Sequence, residues 1–136
     1  MTKVKINNSQ GLVQAPGGGI ALFGATESLT AAGSGGTQIS ATTSLALCDS
    51  GADAHIIKLP SITGLEAGHT ILIVNVATNK EFHLVTAANG TRMNGVAGTP
   101  VEIADVKEGS AITCIYSGTA NPGWIVLDGD QVTIPS

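Results

Sequence analysis

The sequence predicts an all-β fold, a small antiparallel sandwich or jelly-roll-like barrel with an extended N-terminal arm. Three observations predict it. From about Ser44 onward, short apolar or alternating runs recur at near-regular spacing, bounded by Gly, Pro or Asn. No stretch carries a convincing helical period, and the one helix-like piece, "TESLTAA" at residues 26–32, is short. Only four residues are aromatic (Phe23, Phe82, Tyr116 and Trp124), so the core falls to Ile, Val, Leu and Ala, which suits thin β-layers. No strict long-period repeat is present, so a solenoid is not expected.

Taken in order, residues 1–43 read as an arm and residues 44–136 as the sandwich domain. Between Lys5 and Asp49 the only charge is Glu27. Residues 15–40 are rich in Gly, Ala, Ser and Thr, and glycine clusters at 17–19 and 33–36 interrupt any regular element. Such a segment is either a flexible arm or an extended one ordered by lying on a partner. The second reading fits part of it, because Ile20, Leu22 and Phe23 each gain roughly 1.5–3 kcal/mol on burial. Together with Val4, Ile6, Leu12 and Val13 they are the candidate partner contacts.

The strands follow. "AHIIKLP" stops at Pro60, which cannot donate to a ladder. "HTILIVNVA" is apolar on both faces, as a central strand covered on both sides is. "EFHLVTA" alternates, with Phe82 and Leu84 against Glu81 and His83. "ATNKE" is a turn, and "NGTRMNG" holds two Asn-Gly pairs, a strong signal for turns with positive φ. "TPVEIADV" alternates Val101 and Ile103 against Glu102 and Ala104. "SAITCIYSG" puts Ile112, Cys114 and Tyr116 opposite Ala111, Thr113 and Ile115. "GWIVLDG" opens on Trp124, read as a core plug whose indole N–H finds a carbonyl, and "QVTIP" adds an edge strand.

Charge and composition exclude several function classes. Charged residues make up 12%, about half the usual share of roughly 25%, so charge-driven disorder is not expected. The net charge is −4, and the basic residues Lys3, Lys5, Lys58, Lys80, Arg92 and Lys107 are scattered, so no phosphate-tracking stripe for nucleic acid exists. No apolar run approaches the ~20 residues of a membrane span, and the first ten residues lack the apolar core of a secretion signal. A soluble chain made in a cytoplasm is expected. Cys48 and Cys114 read as two small buried thiols; they could pair only if their strands met.

Candidate chemistry is sparse. His55, His69 and His83 are spaced 14 apart, but equal spacing does not bring them together, and strand register decides. One histidine per chain could instead meet two copies on a three-fold axis. Asp49, Asp53, Glu66, Glu102, Asp105, Glu108, Asp128 and Asp130 offer acid pairs of the glycosidase kind, yet fall mostly in turns or on solvent faces. Ser34 sits between glycines with no histidine partner indicated, and "APGGGIA" lacks the Lys-Ser/Thr pair of a phosphate loop. The expectation is no catalytic residue, cofactor, metal or small-molecule substrate.

The second half resembles small β-modules of tailed-bacteriophage virion proteins, especially head decoration (cement) proteins and fibre-associated modules. The residues that carry the resemblance are Leu59-Pro60; Gly68 to Asn75 through "HTILIVN"; Gly90 and Asn94-Gly95; Val101 and Ile103; Gly109 to Tyr116; and Gly123-Trp124-Ile125-Val126. It covers about half the chain, and "NNSQGLVQAPGGG" is similar, more weakly, to the arm of such proteins. The match departs at Lys58 and at the two flanking histidines. The resemblance implies a homotrimer on the outer surface of a phage virion that stabilises the shell by bridging major capsid subunits; a tail-fibre or head-fibre module is the alternative.

Overall fold

The computed structural model describes residues 4–7, 11–14, 25–87, 91–95, 102–127 and 132–133; for 4–7, 11–14, 102–104 and 132–133 it describes the backbone. Two strands, β1 (Val4–Asn7) and β2 (Gly11–Gln14), form an antiparallel hairpin. Ten more build two five-stranded sheets. They are β3 (Ala25–Ala31), β4 (Thr37–Gln38), β5 (Thr43–Ser50), β6 (His55–Lys58), β7 (Thr70–Asn75), β8 (Phe82–Val85), β9 (Glu102–Val106), β10 (Ala111–Tyr116), β11 (Trp124–Leu127) and β12 (Val132–Thr133). The first sheet runs β11-β10-β7-β5-β3 and the second β12-β9-β8-β6-β4. This is the all-β sandwich the sequence predicts, with open sheets rather than a closed barrel.

Pairing within it is mixed, not purely antiparallel. From β3 to β8 the chain alternates between sheets, and each strand lies parallel to the one two places earlier. Three turns, β3–β4, β5–β6 and β7–β8, are thereby stacked. Thr26 lies beside Leu45 and Leu45 beside Leu72. The turns differ in length because residues 59–69 separate β6 from β7 while residues 39–42 separate β4 from β5. Unequal turns leave no fixed period in the sequence, so stacking of this kind is invisible to a repeat search. The remaining strands, β9 to β12, add by antiparallel pairing and close the stack.

The sandwich starts earlier than residue 44. β3, the helix-like "TESLTAA", is a strand beside β5, and β4 lies on the edge of the second sheet. Its composition explains the difference. As an edge strand, β3 buries only Ala31 fully and half-buries Glu27 and Leu29, so it needs few apolar residues. Small polar residues there read as linker although they are paired along their whole length. Side chains hold the turn in place: the Glu27 carboxylate accepts bonds from the Ser40 N–H (3.0 Å) and the Thr43 hydroxyl (2.6 Å), and the Thr37 hydroxyl donates to the Thr30 carbonyl (2.6 Å).

Alternation fills the space between the sheets. Ala46 and Cys48, Ile71 and Ile73, and Ile112, Cys114 and Tyr116 come from the first sheet; Ile57, Phe82, Leu84 and Val106 come from the second. Trp124 is fully buried at one end, its ring tilted against Tyr116 at 5.6 Å. The plug reading of Trp124 holds in burial but not in bonding, since its indole N–H has no partner among the described residues. Cys48 and Cys114 are free and buried, on strands separated by β7, and burial pushes both thiols up to about 12.

Asn75 joins the two sheets. At the end of β7 it is 2% exposed, yet its amide donates to the carbonyls of Val106 (2.7 Å) and Lys80 (2.9 Å) and accepts from the Ala77 N–H (2.9 Å). A buried amide with these bonds satisfied is stable in a core where an unsatisfied one is costly.

Candidate functional site

The two sheets have unlike outer faces. On the first, register sets Thr26, Leu45, Leu72 and Thr113 in one row, with Leu127 beyond Thr113. Ser28, Leu47, Val74 and Ala111 form the next, and Thr70, Ile115 and Ile125 another. Their alternates point into the core, so these side chains face outward. Leu45, Leu47, Leu72, Val74, Ile115 and Ile125 are all half-buried, with Val76 and Leu127 more than half exposed at the margins. Asp49 is the one charged residue among the outward side chains of β3, β5, β7, β10 and β11. Contiguous exposed apolar surface occurs at protein, membrane and ligand contacts and as an aggregation liability. The sequence signal was present, in the double-sided apolar character of "HTILIVNVA". Burial on both sides is the expectation; among the described residues the core covers one side, and Leu72 and Val74 on the other are half-buried.

The edges of that sheet also differ. Beside β11, residues 92–94 act as a substitute strand: Trp124 N–H donates to the Arg92 carbonyl (2.9 Å) and Asn94 N–H to the Trp124 carbonyl (2.8 Å). The Asn94 side chain then accepts from the Val126 N–H at 2.9 Å. Asn94 and Gly95 have φ of 49° and 79°, as the second Asn-Gly pair predicts; Asn89-Gly90 lies outside the described residues. This edge is blunted. At the other edge β3 has no further strand among the described residues, and an open edge is a place for strand addition.

The second sheet presents charge outward. His83 on β8 stands opposite Asp105 on β9, and its Nε2 lies 3.1 Å from the Asp105 carboxylate. Glu81, two residues earlier, shares that face; the ligand atoms of all three lie within 4.8 Å of one another. Close by, Asp53, Asn79, Lys80, Glu81, Lys107 and Glu108 line a shallow hollow of about 360 Å³. Lys80 is paired with Asp53 at 3.3 Å.

The histidines do not converge. His55 neighbours β8, but its register partner is the inward Phe82, and its Nδ1 lies 3.1 Å from the Ala31 carbonyl. His69 sits edge-on to Trp124 at 6.4 Å, with a buried Nε2 that lacks a partner among the described residues. Among the described residues, His83 is the histidine that meets acids. Among the predicted contacts, Val4 and Ile6 lie on β1 and Leu12 and Val13 on β2, with Ile6 opposite Leu12 and Lys5 opposite Val13. Ile20, Leu22 and Phe23 lie outside the described residues. No described helix is long and apolar enough to cross a membrane. No protein-family model matches the chain, and no curated protein matches it.

Proposed function

We propose that the chain is a structural virion protein, a homotrimer that binds the outer surface of a phage capsid and stabilises the shell by bridging major capsid subunits. It acts by adhesion and without catalysis, cofactor or nucleic acid. One observation carries the reading: an outer sheet face of Leu, Ile, Val, Thr and Ser, nearly free of charge. Surface of that chemistry gains by exclusion of water, at roughly 25 cal/mol per Å² of apolar area. The hairpin residues Val4, Ile6, Leu12 and Val13, with Ile20, Leu22 and Phe23, remain the proposed shell contacts of the N-terminal segment. The second-half resemblance points the same way. Mass measurement of the free protein in solution, followed by mixing with expanded phage shells that lack a decoration protein, tests the reading. A trimer that saturates a fixed number of shell positions is expected; a monomer without shell affinity contradicts it.

The fibre-module alternative has its own observation. Stacked parallel turns extend by adding turns, and the first turn, β3–β4, has open edges among the described residues. A fibre module would bind a fibre component or host cells instead of the shell, so co-sedimentation with each separates the two.

A further inference from the structure

We infer that Glu81, His83 and Asp105 form a site for one divalent transition-metal ion of the Zn²⁺ kind. The inference is independent of the virion role, and it departs from the sequence-based expectation of no metal. Its basis is an arrangement fixed by backbone pairing. β8 lies between β6 and β9, so the strand carrying His83 is held on both sides. Register places Asp105 directly across from His83, and alternation places Glu81 on the same face.

The donor set selects the ion class. One imidazole nitrogen with two carboxylate oxygens suits a borderline cation, whereas Mg²⁺ and Ca²⁺ favour oxygen alone. Ligands about 2.0–2.2 Å from Zn²⁺ lie roughly 3.3 Å from each other in a tetrahedral shell. The 3.1 Å between His83 and Asp105 already meets that spacing. Glu81 stands just before β8 begins and completes the set by a side-chain rotation. Burial is intermediate: the side chains of His83 and Asp105 are 19% and 37% exposed, which leaves an entry path and room for water in the remaining positions.

A plain His–Asp ion pair accounts for the 3.1 Å contact but not for the third group. Two carboxylates within 4.8 Å repel, and a protonated imidazole supplies one positive charge against two negative ones. A dication between them balances both. In the adjoining hollow, Asp53, Glu81 and Glu108 outnumber Lys80 and Lys107, so the local field also favours a cation.

Calorimetric titration of the full chain, stripped with chelator, with ZnCl₂ at neutral pH tests the site, with MgCl₂ as the comparison. Expected are one Zn²⁺ per chain, no Mg²⁺ binding over the same range, and at least about tenfold weaker Zn²⁺ binding in Glu81→Gln and in His83→Gln. Glu81→Gln preserves shape at a partly exposed position, and its circular dichroism spectrum establishes that it is folded. Absence of stoichiometric Zn²⁺ binding to the wild type overturns the inference. So does Zn²⁺ affinity unchanged in both variants, which would assign the binding to His55, His69 or another group.

Discussion

Single residues carry constraints that the sequence shows only in part. Gly123 has a φ of 77°, and a Cβ there would run into the Arg92 backbone carbonyl. The chain approaches itself so closely because the Trp124 N–H, one residue on, donates to that same Arg92 carbonyl. Gly123→Ala should therefore cost on the order of 3 kcal/mol or more, read as a loss of stability in urea denaturation. Replacing Asn75 by Ala would strand the Ala77 N–H and the Val106 and Lys80 carbonyls; a loss of about 3 kcal/mol is expected by the same measurement. The two cysteines give a pH dependence. Their thiols hold protons in the fold up to about 12, against 9.0 ordinarily, so the unfolded chain releases protons first as pH rises. The thiols' contribution to stability is then constant below about pH 9 and is lost above it, by up to about 1.4 kcal/mol per pH unit per thiol. Denaturation at a series of pH values checks the sign. Burial of these thiols was legible, since small apolar positions in strands are where free Cys sits. The Glu81–His83–Asp105 grouping was not, because it depends on the register between β8 and β9, which no local pattern specifies.

At the scale of elements, β6 to β12 were legible because alternation, Pro60 and the Asn-Gly turn each have a direct backbone meaning. β3 and β4 were not. Edge strands bury little, so their side chains need not be apolar, and pairing with β5 and β6 overrides the linker-like composition. Gly36 shows how tight that pairing is, for at a φ of 68° its missing Cβ leaves room for Ile56, whose Cγ2 would otherwise lie 2.6 Å away. Truncations separate the two views of this segment. Removal of residues 1–24 should leave a cooperative thermal transition. Removal of residues 1–43 should lower the midpoint sharply or cause aggregation, because it uncovers the parallel edges of β5 and β6. Equal midpoints for the two truncations would return β3 and β4 to the arm.

For the whole molecule, the two sheets have unlike outer faces. One sheet carries Leu, Ile and Val outward, and the other carries Glu81, His83 and Asp105. The sandwich was readable from strand spacing, but the face that the described residues leave uncovered was not, because a sequence reveals that a strand is apolar on both sides without saying who covers the second. The outward side chains of β7 lie at the centre of that face, so Leu72→Lys with Val74→Lys should spoil adhesion while sparing the core, whose β7 contributions are Ile71, Ile73 and Asn75. The most direct measurement is co-sedimentation of wild type and this double variant with expanded shells, after circular dichroism has established that both are folded. Wild type should pellet with the shells and the variant should stay in solution, a loss of affinity of at least about tenfold. Equal pelleting of the two, or no pelleting of the wild type, would contradict adhesion through the apolar sheet face.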